Sequence, residues 1–303
     1  MNTPKITVVT VTRNLIKNGR EKHFRQCLES VRSQTYKNIE HLIIDGASAD
    51  GTLDLIKEYA NKKQISYISE PDSGIYNAMN KGVLKATGKY VAFLNSDDFW
   101  HDPRGVEESV GALEKNAADF SYADALFLRK DGKKKRLIAK IGAFFTRMPF
   151  CHQTMFTKTE VLRENLFNEK YKSAGDYDLI LRLCMKKCKP IFVESVFTTY
   201  RDGGFSVTDS KLSIAEVLDI TRNLFSELLP NLTIDDCKQM YFENIVREDL
   251  LEIMKSVVCP GICDRINRLK IKRTKCGIAI SGIRYLKNMR FTDRIKMLFS
   301  TRG

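Results

Sequence analysis

Tyr90-Val91-Ala92-Phe93-Leu94-Asn95-Ser96-Asp97-Asp98 is a five-residue apolar run that leads into two adjacent carboxylates. The run is short, aromatic and β-branched, and it follows the breaker Gly88, so it reads as a buried strand of a parallel sheet. Ionised Asp side chains next to each other at a strand's carboxyl end repel, and a cation or cationic partner relieves that repulsion. An Asp-rich turn ahead of a helix starting near Pro103 is the plainer reading of the same residues. The rest of the chain decides between the two.

Upstream, Lys5 to Asn14 is a β-branched run and predicts strand one, followed by an amphipathic helix carrying Phe24, Cys27, Leu28 and Val31 to about Ser33. Strand two is expected over Ile39 to Asp45. It runs into a turn-rich loop, Gly46 to Thr52, and a helix over Leu53 to Tyr59. Strand three, Ile65 to Ser69, ends in Glu70-Pro71-Asp72. Strands and helices alternating at this pitch predict a doubly wound parallel sheet with right-handed crossovers, whose ligands sit outside the strand carboxyl ends. Asp45, Glu70 with Asp72, and Asp97 with Asp98 all fall at such ends. Three acidic ends converging on one crevice suit a polyhydroxylated, cation-bearing ligand better than three solvated turns.

Ser73 is placed to cap a helix continuing to about Ala86, with Ile75, Met79 and Val83 inward and polar members such as Lys81 left for ligand contact. Downstream of Asp98, Asp102-Pro103 signals a helix through about Glu114. Ala117 to Leu128 and Leu137 to Ile141 then read as strands joined by the turn Lys130-Asp131-Gly132-Lys133, a change from parallel to antiparallel pairing. Asp176 and Asp178 open a helix, where caps are their ordinary role. His152 is a lone histidine in an apolar setting, by default a structural residue. A strand over Ile191 to Thr198 leads to Tyr200-Arg201-Asp202-Gly203-Gly204-Phe205-Ser206, whose glycines permit a tight loop able to wrap a diphosphate. From Ser210 the pattern is helical, over Leu212 to Leu229 and Thr233 to Val258. The division is a catalytic domain over 1–208 and a helical C-terminal extension over 209–303.

Composition bounds the class. The 303 residues are 43% hydrophobic and 29% charged, and no apolar run approaches the ~20 residues of a membrane-spanning helix. The amino terminus lacks a secretory pattern, and the eight scattered cysteines read as reduced thiols, so a cytoplasmic protein is expected. Cys184/Cys188 and Cys259/Cys263 are spaced too widely for a zinc knuckle. Residues 261–303 hold 12 Lys/Arg against 2 Asp/Glu, most of the formal charge of +13, interleaved with Ile280, Ile283, Leu286 and Met289. Such a basic amphipathic tail fits peripheral docking at the anionic inner face of the cell membrane.

Taken in order, Asp45-Gly-Ala-Ser-Ala-Asp-Gly-Thr, Glu70-Pro-Asp-Ser-Gly-Ile-Tyr-Asn-Ala-Met-Asn-Lys-Gly, Leu94-Asn-Ser-Asp-Asp, His152-Gln-Thr-Met-Phe, Asp176-Tyr-Asp-Leu and Gly203-Gly-Phe-Ser resemble the bacterial family 2 glycosyltransferases. The likeness is closest to the branch that builds exopolysaccharide, capsule and O-antigen, and it covers the first two-thirds of the chain. It implies the GT-A fold and inverting transfer of a sugar from a nucleotide-diphosphate donor, a UDP-sugar foremost, to a glycan or lipid-linked acceptor. It implies nucleotide contacts from Thr12 and Asp45, base and ribose contacts near Glu70 and Asp72, and Mn²⁺ or Mg²⁺ at Asp97 with Asp98. Asp176 corresponds to the family's catalytic base. His152 and Arg201 are candidates for diphosphate or metal contact. Asn95 stands where the family's metal motif has Asp, and Gly175 stands where many relatives have Glu or Ser.

Three other readings remain. A sugar nucleotidyltransferase would need a glycine-rich, Arg-containing loop after strand one, where this chain has Thr12-Arg13-Asn14-Leu15. A nucleic-acid-binding protein would account for the tail but not for clustered acids, which repel phosphate, so no nucleic-acid partner is expected. A non-catalytic polysaccharide-binding module leaves the base and metal candidates without a task.

Overall fold

The computed structural model describes residues 3–204, 209–274 and 277–281. Its first half is parallel. β1 (Ile6–Thr12) is followed by α1 (Glu21–Arg32), β2 (Ile39–Asp45), α2 (Thr52–Asn61), β3 (Ser66–Ser69), α3 (Ile75–Lys85) and β4 (Tyr90–Phe93). β1 lies between β2 and β4, and β3 is outermost. The chain therefore reverses its direction of winding at the β1/β4 boundary, where a parallel sheet opens a crevice at its carboxyl edge. Residues 13–20 after β1 and 94–98 after β4 flank that crevice.

The second half departs from simple alternation. β5 (Phe99–Trp100), α4 (Gly105–Asn116), β6 (Phe120–Leu128), β7 (Lys134–Leu137), β8 (Phe156–Lys158), α5 (Thr159–Glu164), α6 (Gly175–Met185) and β9 (Pro190–Arg201) extend the same sheet in the order β4-β8-β6-β9-β5, with β7 on β6. β8 runs antiparallel to β4 and to β6, as the change of pattern after Ala117 suggests. The long β6–β9 pair, however, is parallel, and its register shifts on either side of Asp124. The mixed sheet flanked by helices is the GT-A architecture that the resemblance implies.

Two expected caps are replaced by tertiary contacts. Ser73 does not cap α3: Gly74, with φ of 144°, precedes the helix, and the Ser73 hydroxyl donates to Glu169 at 3.2 Å. Asp102 accepts from the Arg104 amide at 2.9 Å in the turn before α4, and Gln34 supplies the acceptor for the Val106 amide at 3.2 Å.

The C-terminal region is less helical than its periodicity suggests. After α7 (Ser210–Ser226), the expected helix over Thr233 to Val258 is broken into α8 (Ile234–Lys238), a π-turn at Gln239–Glu243, β10 (Ile245–Val246) and α9 (Glu248–Val257). Asn244 takes the left-handed conformation at φ 56°, and Arg147 from the sheet domain donates to the freed Tyr241 carbonyl at 2.7 Å. α10 (Pro260–Asn267) is followed by β11 (Lys270–Thr274) and β12 (Gly277–Ser281), which join β10 in a small antiparallel sheet where the sequence pattern suggested helix. Ile280 is buried there, whereas Ile283, Leu286 and Met289 lie outside the described residues. Among the described residues no helix is long and apolar enough to cross a membrane.

One hydrophobic cluster joins Val9, Phe93, Phe120 and Tyr177 to Ile220, Phe225, Leu251, Met254, Ile262 and Ile278, so the core runs without a break across the boundary expected at 208/209. Truncating a fully buried aliphatic side chain in such a core costs about 2–5 kcal/mol. Ile220→Ala should therefore lower the midpoint of the same urea transition that Phe120→Ala lowers. Two transitions, only one of them moved by Ile220→Ala, would mean that the extension unfolds by itself.

Candidate active site

A cavity of about 610 Å³ opens at the β1/β4 boundary. Asp72, Asp97, His152 and Asp176, spread over more than a hundred residues of sequence, all line it. Each carboxylate arrives from the end of a different element, after β3, after β4 and in the first turn of α6.

Every one of these acids meets a donor. The Arg20 guanidinium lies 3.1 Å from the Asp97 carboxylate, and Arg13 lies 3.6 Å from Asp72. Both arginines belong to the loop after β1. His152 Nδ1 lies 3.1 Å from one Asp176 oxygen, and the other oxygen accepts from the Tyr76 hydroxyl at 3.3 Å and the Tyr177 amide at 2.9 Å. Burial first, and then the Asp176 carboxylate, push the Tyr76 phenol well above its ordinary range, so it stays a donor at neutral pH.

Gly175 is what admits this arrangement. A Cβ there would sit 2.8 Å from the Tyr76 ring, so a larger residue and the Tyr76–Asp176 contact exclude each other. The loop ahead of it is held from the C-terminal region. Glu216 on α7, buried, accepts from the amides of Lys172, Ser173 and Ala174 at 2.7 to 2.8 Å. Hydrogen bonds to a charged group contribute about 1.5–3 kcal/mol each, enough to fix the approach of Asp176.

Gln153 does the same for the opposite wall. Its amide nitrogen donates to Asp98 at 2.6 Å, and its oxygen accepts from the Asn95 amide at 3.1 Å. Asp98 also accepts from the Arg201 amide at 2.6 Å, is 1% exposed and does not line the cavity. Burial, reinforced by neighbouring Asp97, drives its carboxyl toward the protonated form. Of the pair expected to share a metal, Asp97 lines the cavity, and Asp98 braces the loop beneath it.

Other expected contacts also lie elsewhere. Asp45 is fully buried and accepts from Thr12, from Ser69 and twice from Ser48, at 2.6 to 3.0 Å. Thr12 lines the cavity; Asp45 ties the ends of β1, β2 and β3 together behind it. Glu70 and Lys81 pair with each other at 2.8 Å outside the cavity. Arg201 stacks over Phe99 at 4.6 Å and bonds Gln26 and the Asp97 carbonyl, supporting Asp97 from behind. Asp178 pairs with Arg182 within α6. Phe205 and Ser206 of the glycine loop lie outside the described residues.

Arg13, Arg20, Tyr76, Gln153 and Glu216 were not singled out by the sequence. The position of Arg13 and Arg20 at the carboxyl end of strand one is a signal for the first two. Nothing in the sequence marks Glu216.

Two buried polar atoms on residues that line this space have no hydrogen-bond partner among the described residues, Asn95 Oδ1 and His152 Nε2. Three carboxylates, two guanidinium groups and two unpartnered polar atoms make a site for a ligand that is itself anionic and cation-bearing.

Residues 7–171 match a family model described as Glycosyl transferase family 2. An uncharacterized glycosyltransferase of Rickettsia bellii is 32% identical over 159 residues, 50% of this chain and 23% of that protein. The chain spans 28% and 31% of the length of two further Rickettsia relatives. Of solved structures, S. aureus TarS 1–349 in complex with UDP-GlcNAc aligns with a TM-score of 0.61 at 15% identity, over 91% of this chain and 96% of that one. Mannosyltransferase PcManGT from Pyrobaculum calidifontis, in complex with GDP-Man and Mn²⁺, gives 0.58 at 15% identity, over 88% and 74%. Those two likenesses concern the fold; the match to the family model covers more than half of the residues, and the chain belongs to glycosyl transferase family 2.

Proposed function

We propose that the protein is an inverting glycosyltransferase that moves a sugar from a nucleotide-diphosphate donor, a UDP-sugar foremost, to a hydroxyl of a glycan or lipid-linked acceptor in surface polysaccharide synthesis. The observation that carries this reading is the meeting of Asp72, Asp97, His152 and Asp176 in one cavity at the carboxyl edge of the sheet. The nucleotide bound to TarS and to PcManGT in their solved complexes supports the donor class.

Asp176 is assigned as the base. Its hydrogen bonds from His152, Tyr76 and its own helix fix the carboxylate, and its remaining lone pairs are free to take the proton of an acceptor hydroxyl. As that oxygen bonds the anomeric carbon, the bond to the donor phosphate breaks on the opposite face, and the nucleoside diphosphate leaves with the electron pair. Arg20 and Arg13 are placed to turn from Asp97 and Asp72 toward the phosphates. Unit charges ~4 Å apart interact by about 4 kcal/mol at an effective dielectric near 20, against about 1 kcal/mol in water, so a water-poor crevice amplifies each of these contacts.

Among the described residues no three His, Cys, Asp or Glu side chains gather into a ready metal site; Asp97, with Asn95 and His152 among the residues lining the same cavity, would hold Mn²⁺ or Mg²⁺, which when bound would neutralise charge on the departing diphosphate.

Asp176→Asn should fold normally and turn over about 10²–10⁴-fold more slowly; parental turnover by the Asn variant would remove the assignment. Gly175→Ser should displace the Tyr76 ring and lower kcat with little change in donor KM, and a KM effect alone would place Tyr76 in donor binding instead. Screening nucleotide sugars by isothermal titration with and without Mn²⁺ tests donor and metal together: Asp97→Ala should abolish the metal dependence of donor affinity.

A further inference from the structure

We propose that the β6–β7 hairpin is a docking surface for an anionic lipid bilayer, set at the mouth of the cavity. Residues 129–140 carry seven Lys/Arg and the single acid Asp131, although residues 1–260 as a whole have a surplus of only three positive charges. Residues 129–136 are exposed without interruption. Asp131 lies 3.7 Å from Arg129 and 3.9 Å from Lys133, and Arg136 pairs with Asp124 at 2.8 Å. Lys130, Lys134 and Lys135 have no acidic partner among the described residues.

β7 is bonded to β6 alone, and a lysine or two on an edge strand is an ordinary guard against strand pairing. That guard does not require a surplus of six charges, nor the apolar residues beside them. Ile138 is 54% exposed directly after the basic run, and its neighbour Leu137 is buried against the cavity together with Met148 and Phe150. The hairpin root is joined to the cavity rim: the Asp202 amide donates to the Leu128 carbonyl at 2.9 Å, and the Lys130 side chain rests against Gly203. On its other side, Arg265 of α10 shares a shallow cavity with Arg136 and Ile138.

Lysine-rich charge with an exposed aliphatic residue suits a diffuse anionic surface whose interior is apolar. A nucleic acid fits less well, because the adjoining cavity presents Asp72, Asp97 and Asp176, and the hairpin offers no exposed aromatic ring for base stacking. The surface goes beyond the basic tail expected from sequence, since it is built within the sheet domain itself. It does not depend on the assignment of donor or base, because membrane binding is read without turnover.

The test is flotation of the full chain with vesicles of phosphatidylcholine alone or mixed with phosphatidylglycerol. The protein should float with the mixed vesicles only, and less at high salt. Replacing Lys130, Lys133, Lys134 and Lys135 by Gln should weaken that binding roughly tenfold or more, with the circular dichroism spectrum unchanged. Ile138→Ser should weaken it to a smaller extent. Binding unaffected by the four substitutions, equal binding to both kinds of vesicle, or preference for a short RNA in direct competition would each overturn the proposal.

Discussion

Like charges gathered in one crevice raise each other's energy, and the structure answers that repulsion donor by donor. Arg13 faces Asp72, Arg20 faces Asp97, Gln153 with the Arg201 amide closes Asp98, and His152 with Tyr76 secures Asp176. The compensation differs in kind, and the difference sorts the acids by role. Asp98 is met by neutral donors and kept from the cavity, so it holds the backbone. Asp72 and Asp97 are met by two arginines from one loop, whose guanidinium groups stay partly exposed to the cavity side. Asp176 is met by residues anchored in helices, which leave its position fixed while a lone pair stays available.

The pair His152-Gln153 couples the two sides of this arrangement. Adjacent in a single 3₁₀ turn, one residue reaches Asp176 and the other reaches the loop carrying Asp97. A displacement of that turn moves both walls of the cavity together. The motif at this position therefore has a mechanical reading that its composition alone does not supply.

The parallel half of the fold was readable because each strand is a short β-branched run closed by a breaker, and each acid falls where a parallel sheet places ligands. Asp72 and Asp97 line the cavity from the ends of those strands, whereas His152 and Asp176 join them from the second half, where residue pattern alone read a structural histidine and a helix cap. Asp45, Glu70, Lys81 and Arg201 were also expected to face the ligand. Their orientation depends on hydrogen bonds with Ser48 and Ser69, with each other, and with Gln26 and Phe99, and periodicity carries no trace of such partners. The parallel β6–β9 pair and the broken helix around Gln239–Glu243 were hidden for the same reason. Arg147 bonding the Tyr241 carbonyl overrides local helical preference from almost a hundred residues away.

Glu216 gives the C-terminal region a place at the cavity as well as in the core. Its carboxylate gathers three successive amides just ahead of Asp176. On the ribosome, then, the sheet and the wall carrying Asp97 emerge before the segment that anchors the loop ahead of Asp176. A nascent chain released after α6 would hold every carboxylate of the crevice without the anchor that orients the last of them.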